Sequence, residues 1–280
     1  MIVVTGATGN VGRPLARTLA EAGRKVTTVS RHAAAAPEGG RHLVADLTDP
    51  AALEPALAGA EALFLLLSGD MHAPGAQGPA GIIDRAVASG VRRIVLLSSQ
   101  GVSTRPYGTT RIAVRAVEDA VREAAPEWAI VRPGGFASNA LWWAESIRTS
   151  GLVAAPFGDT GVPVVDPDDI AAVAAACLLD DRHVGGVYEL TGPEVITPRG
   201  QTAAIAAALG TPVRFHELTR AEALAGMTQV MPEQVANDTL DILGAPTPAE
   251  LAVSPDVERV LGRAPRAFAE WATRNVAAFR

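Results

Sequence analysis

Residues 5–12 read TGATGNVG, and the four residues before them, Met1-Ile2-Val3-Val4, form a short apolar run. Gly6, Gly9 and Gly12 stand at GxxGxxG spacing, and each glycine has its own task. Gly6 permits a tight turn off a strand, Gly9 lets backbone approach a pyrophosphate, and Gly12 lets a following helix pack closely on a sheet. Leu15, Ala16, Leu19 and Ala20 follow at helical spacing, and Gly23 supplies a stop. A strand, a glycine loop and a helix in that order form a cradle for a dinucleotide, with anions drawn to the helix N-terminus. Thr8, Asn10 and Val11 are therefore expected to line the phosphates together with the three glycines.

The rest of the chain extends this unit. Lys25–Arg31 and His42–Asp46 read as strands two and three. Asp49-Pro50 opens a short helix, with Asp49 as N-cap. Ala62–Ser68 is a continuous apolar run, as expected of a parallel strand covered on both faces. A helix ending at Gly90, strand five at Arg93–Ser99, a helix at Thr109–Ala124 and strand six at Trp128–Arg132 complete the alternation. The pattern predicts an α/β fold: a Rossmann doubly wound parallel sheet, with a small C-terminal substrate-binding region. Residues 1–155 are read as the nucleotide-binding domain, its sheet completed by later segments. Residues 156–280 are read as a mostly helical region that walls off a substrate cleft.

Beyond residue 160 the pattern loosens. Val162–Val165 and Val187–Leu190 read as short strands around a helix at Ile170–Leu179, and Thr197-Pro198 opens a helix ending at Gly210. Asp166, Asp168 and Asp169 precede the Ile170 helix and suit its dipole better than a metal. The stretches 69–81 and 151–163 are rich in Pro and Gly and read either as lids or as plain surface loops.

Composition narrows the function. The chain has 280 residues, 48% of them apolar but only 4% aromatic, so its core is built from Ala, Val, Leu and Ile. A net charge of −6 gives no footprint for nucleic acid, and no apolar run approaches the roughly 20 residues of a membrane span. An apolar strand at residue 2 leaves no room for a signal peptide, and the lone Cys177 forms no internal disulfide. A cytoplasmic location is expected. The five histidines have no metal-ligand spacing, and no metal is expected.

The end of strand two carries Ser30-Arg31-His32 where an NAD site usually carries an acid for the ribose 2′-hydroxyl. Arg31 suits a 2′-phosphate, and no nearby carboxylate is expected to repel one. NADP(H) is favoured, with NAD(H) as the alternative. Asp46 and Leu47 are expected near the adenine, and Leu67 and Ser68 on the nicotinamide-ribose side.

TGATGNVG, VADLTD at 44–49, LLSSQGV at 96–102, VRPGGFASN at 131–139, VYELTGPE at 187–194 and GRAPRAFAEWA at 262–272 resemble the NmrA-like branch of the atypical short-chain dehydrogenases. The match covers essentially the whole chain. The resemblance implies an NAD(P)H-binding Rossmann domain, with Ser98, Pro133, Gly134 and Phe136 among the cofactor contacts. It implies activities from quinone reduction and reduction of polyketide or phenolic ketones, including steps of secondary metabolism, to non-enzymatic redox sensing. Asn139 matches an asparagine common in the group near the nicotinamide face.

The wider superfamily protonates carbonyls with a Tyr-x-x-x-Lys pair. The only lysine of this chain is Lys25, so no such pair exists. Tyr107, with Arg111 four residues on, stands where the pair would, and Tyr188 reads as core. Quinones do not need the acid, because the hydroquinone anion is stabilised by aromatisation and water can protonate it. The candidate catalytic residues are Ser99, Tyr107 and Asn139. Gln100, Phe136, Trp142 and Trp143 are the candidate contacts for a small aromatic substrate. A homodimer is admitted. The leading expectation is an NAD(P)H-dependent reductase of a quinone or aromatic ketone. The alternatives are a non-catalytic NADP(H) sensor and, behind it, an epimerase or dehydratase using bound NAD.

Overall fold

A computed structural model describes residues 1–66 and 78–280, with the side chains of residues 109 and 110 left aside. Two compact units interleave along the chain. The first comprises residues 1–102, 111–133 and 167–189; the second comprises 103–110, 134–166 and 190–280. Residues 134–155, expected with the nucleotide-binding part, thus lie in the second unit. Residues 167–189 return to the first, where they complete its sheet.

The first unit is a seven-stranded sheet of order β3-β2-β1-β4-β5-β6-β8. Its strands are β1 (Ile2–Thr5), β2 (Val26–Ser30), β3 (Arg41–Val44), β4 (Ala62–Leu66), β5 (Arg93–Leu97), β6 (Glu127–Pro133) and, later in the chain, β8 (Gly186–Leu190). β3, β2, β1, β4, β5 and β6 pair in parallel. The order reverses at β1, so β1 and β4 flank the switch point at whose carboxyl end a ligand binds in such sheets. The intervening helices are α1 (Gly12–Glu21), α2 (Glu54–Leu57), α3 (Gly78–Ala88), α4 (Gly101–Thr104) and α5 (Thr109–Ala124).

Alternation along the strands explains the two-faced core. Val3, Leu63, Leu65, Ile94, Leu96 and Ile130 are buried with Leu53 and Leu57, with Ile82 and Ile83 of α3, and with Val117 and Val121 of α5. Their neighbours Ile2, Val4, Phe64 and Val95 are just as buried. Those residues belong to the opposite face, where α1 packs on β1 and β2. The helix α7 (Pro167–Leu179) packs against α1 and against β4, β5 and β6. Both faces are covered, which is why the strands read as unbroken apolar runs. Tyr188 and Cys177 are core residues, and burial pushes the Cys177 thiol up to about 12, so it is inert.

The middle stretch of the second unit carries a 3₁₀ segment at Ala137–Trp143, followed by α6 (Ala144–Ser150) and β7 (Leu152–Pro156). After α7 and β8 the chain returns with α8 (Pro198–Leu209) and β9 (Arg214–Leu218). Five short helices then follow: α9 (Arg220–Met227), α10 (Glu233–Gly244), α11 (Pro248–Leu251), α12 (Asp256–Leu261) and α13 (Phe268–Arg274). Its core joins Ile147, Val153, Ile205, Phe268, Trp271 and Phe279. β7 and β9 form a parallel pair that the sequence does not announce, because Ala-Ala-Pro and RFHEL lack a run of β-branched residues. The strand expected at Val162–Val165 is reduced to isolated bridges, Val162 to Ile196 and Phe136 to Val165. Pro163 has no N–H to continue a ladder. The helix expected to open at Thr197-Pro198 is α8, and Thr197 caps it, accepting from the Gly200 N–H at 3.0 Å.

Candidate active site

At the carboxyl end of β1 the chain turns through Gly6 at φ +62°, a left-handed conformation that favours glycine. The Thr5 hydroxyl donates to the Phe64 carbonyl at 3.0 Å and accepts from the Leu66 N–H at 2.8 Å, tying the turn to β4. A Cβ on Gly12 would stand 2.3 Å from the Gly6 carbonyl oxygen, so only glycine allows α1 to start this close to the loop. Gly9 is exposed, and a Cβ there would meet only the Gly6 oxygen, at 3.2 Å. Val11 occupies the N-cap position of α1 and brings no side-chain cap to its first turn. Thr8 and Asn10 are exposed on the same loop. An open backbone crest without a Cβ, at an uncapped helix start, fits a pyrophosphate. The residues present therefore suit a dinucleotide.

Beside this loop, Arg31 is exposed at the end of β2. Asp46, expected at the adenine, makes an Asx turn: hydrogen bonds from Thr48 hold its carboxyl below the usual range, and the Arg31 charge contributes further. A carboxylate therefore does lie within electrostatic reach of Arg31, contrary to the expectation from strand two alone. Sequence separation hid it, because Asp46 follows a different strand. Leu47 is buried in the core under this corner. A groove of about 300 Å³ is lined by α1, residues 34–38, Thr28 and His42, and its cations are Arg13 and Arg17. Arg13 was not among the residues singled out from sequence, although it directly follows Gly12.

At the end of β5 two serines take different partners. The Ser98 hydroxyl donates to Glu118 of α5 at 2.5 Å. Glu118 is 0% exposed and also receives Arg132 Nε at 2.8 Å, Arg132 Nη2 at 2.6 Å and Arg122 Nη2 at 2.9 Å. Burial alone would raise its pKa, but the hydrogen bonds from Arg132 and Ser98 outweigh that and hold it below the usual value. The Ser99 Oγ accepts instead from the Gly101 N–H at 3.2 Å and from Arg111 Nη1 at 3.4 Å. Gln100 is buried, and its N–H donates to the Pro133 carbonyl at 3.0 Å, prolonging the β5–β6 pairing.

Tyr107 is 93% exposed. Arg111, read from sequence as its partner, lies against Gly101 and Ser99 in the first unit. The signal for that arrangement was Gly101, which leaves room for the guanidinium. In the second unit the Gly134 N–H donates to the Leu190 carbonyl at 2.9 Å, and Phe136 bridges to Val165. Asn139 is exposed on the 3₁₀ segment. Trp143 packs on the local core while Trp142 is 66% exposed, so the pair divides between two directions as its adjacency requires. Leu67 and Ser68, and most of the stretch 69–81 with its His72, lie outside the described residues. Among the described residues no helix is long and apolar enough to cross a membrane.

Comparison with known proteins agrees with this geometry. A family model described as NAD(P)H-binding matches residues 6–181. A (4-alkanoyl-5-oxo-2,5-dihydrofuran-3-yl)methyl phosphate reductase of Streptomyces griseus is 39% identical, over 100% of this chain and 99% of the relative. An NAD(P)H azoreductase of Xenophilus azovorans is 34% identical, over 100% and 99%. The crystal structure of an NADPH-dependent quinone oxidoreductase from Escherichia coli, complexed with NADPH, superposes with a TM-score of 0.79 at 26% identity, covering 98% of this chain and 99% of that one. Glycine loop, sheet order and relatives together place the chain in the NAD(P)H-binding family, in the NmrA-like branch of the atypical short-chain dehydrogenases.

Proposed function

We propose that this NAD(P)H-dependent oxidoreductase passes hydride to a conjugated acceptor, a quinone or an aromatic ketone of the polyketide kind, and prefers NADPH. The observation that carries the reading is the absence of a Tyr-x-x-x-Lys pair from a chain whose single lysine is Lys25. An isolated ketone becomes a strongly basic alkoxide on reduction and needs a positioned acid. A conjugated acceptor spreads the charge and can take its proton from water. The relatives' names describe acceptors of this kind: an acylated unsaturated lactone, an azo compound and a quinone.

The nicotinamide supplies the hydride when bound. Gly6, Thr8, Gly9, Asn10, Val11 and Gly12 would hold the pyrophosphate, and Arg31, with Arg13, the 2′-phosphate. Asp46 and Leu47 would border the adenosine. Leu67, Ser68, Ser98, Pro133, Gly134 and Phe136 are assigned to the nicotinamide half. Ser99 and Asn139 would donate to the substrate oxygen, with Tyr107 a further candidate donor. Gln100, Phe136, Trp142 and Trp143 would contact the aromatic body of the substrate. A single buried cysteine suits the reducing cytoplasm. The test is NADPH consumption by purified protein against a panel of quinones and extended aromatic ketones. Turnover supports the reading; tight NADPH binding with no turnover on any acceptor would move it to a sensor.

A further inference from the structure

We propose that Arg111 and Gly101 are positioning residues that aim the Ser99 hydroxyl as a fixed hydrogen-bond donor toward the acceptor oxygen; this rests on the reductase reading above. A serine hydroxyl carries one proton and two lone pairs. At Ser99 one N–H arrives from Gly101 at 3.2 Å and another from Arg111 Nη1 at 3.4 Å. With both lone pairs engaged, the remaining proton points away from both donors. Ser98, one residue earlier, has the opposite arrangement, since its proton goes to the buried Glu118. Of the two serines that end β5, Ser99 is the one whose proton is left for a ligand. It stands beyond the carboxyl end of β5, at the same edge of the parallel sheet as the glycine loop.

Gly101 makes this possible. A Cβ at that position would lie 2.5 Å from Arg111 Nε and 2.8 Å from its Cδ and Cζ. Any larger residue would push the guanidinium off Ser99. The positively charged guanidinium polarises the hydroxyl it touches. In the reaction, hydride adds to one end of the conjugated acceptor and the displaced electron pair settles on a carbonyl oxygen at the other. That hydride is the two-electron loss that oxidises the nicotinamide, and water then protonates the oxygen, leaving hydroxide. Ser99 keeps its own proton and donates a hydrogen bond to the oxygen while the charge is there. Serine and arginine thus stabilise this charge in a chain that lacks a lysine at the corresponding place.

The experiment is a double-mutant cycle on menadione reduction, using Ser99→Ala, Arg111→Met and both together. Each single change is expected to lower kcat about 10-fold, less than the roughly 100-fold cost of losing an oxyanion donor from a localised charge. The pair should lose no more than either alone, with KM for NADPH moved by less than about twofold. Arg111→Lys should recover part of the loss, and Gly101→Ala should reproduce Arg111→Met. A second readout needs no turnover. Para-nitrophenol bound to the NADP⁺-loaded protein should ionise about one pH unit lower than in free solution, and either single change should abolish that shift. Additive losses, or a nitrophenol that does not bind or ionises as in water, overturn the Arg111–Ser99 coupling. A wild-type protein that reduces no quinone overturns the reductase reading itself, and this proposal with it.

Discussion

Replacing Glu118 with glutamine should destabilise the protein by about 3 kcal/mol without changing its fold. Four hydrogen bonds converge on this buried carboxylate, from Arg132 at 2.8 and 2.6 Å, Arg122 at 2.9 Å and Ser98 at 2.5 Å. A carboxylate has about four lone-pair sites for such donors, whereas an amide keeps one oxygen and turns two protons toward the guanidiniums. Removing one partner of a buried ion pair costs about 3–5 kcal/mol. The lower end applies here, because Arg122 also holds Asp119 at 2.9 Å and Arg132 has Glu189 at 3.8 Å. In a chain of this size the loss lowers Tm by about 6–12 °C.

The pH dependence fixes the cause. Glu118 has a folded pKa below its ordinary 4.5, so its contribution is complete above that value and is lost as pH falls through the folded pKa. Melting of wild type and Glu118→Gln, followed by circular dichroism, should show a constant gap at neutral pH that closes in acid below 4.5. A gap under about 1 kcal/mol at neutral pH, or one that persists undiminished well into acid, would refute the reasoning.

Two further changes probe the nucleotide site. Gly9→Asp makes one tight contact, its Cβ 3.2 Å from the Gly6 oxygen, which a shift of a few tenths of an ångström relieves, and it places a negative charge at the pyrophosphate. NADPH affinity by fluorescence titration should fall at least about 100-fold, and unchanged affinity would move the pyrophosphate elsewhere. Arg31→Ala should weaken NADPH about 10-fold more than NADH, as expected for loss of a charge-assisted contact; equal losses would remove Arg31 from 2′-phosphate recognition.

Much of this was legible in the sequence, and the limits have physical causes. The glycine spacing, the continuous apolar strands, the Asp49 cap and the helix start at Thr197-Pro198 are local signals, and the structure realises each of them. That later segments complete the first sheet was legible, but the break at 133 and the identity of the returning segment, 167–189, were not, because they depend on packing between distant segments. β7 and β9 escaped for lack of an alternating or β-branched pattern. At the candidate site, Ser98 and Ser99 look equivalent as letters, and only Glu118, twenty residues on, and Arg111 tell them apart. Tyr107 with Arg111 matched a familiar spacing, yet Arg111 turns to Ser99 and Tyr107 is exposed. Tyr107→Phe should therefore cost less kcat than Ser99→Ala; a larger loss would return the donor's role to the tyrosine.

The most direct test compares kcat/KM for menadione with that for acetophenone, with NADPH saturating. An enzyme without a Tyr-x-x-x-Lys acid should favour the quinone by at least about 100-fold, the size of the contribution usually made by a positioned acid. Comparable efficiency on acetophenone would mean that a strong proton donor operates in this site, and would contradict the account.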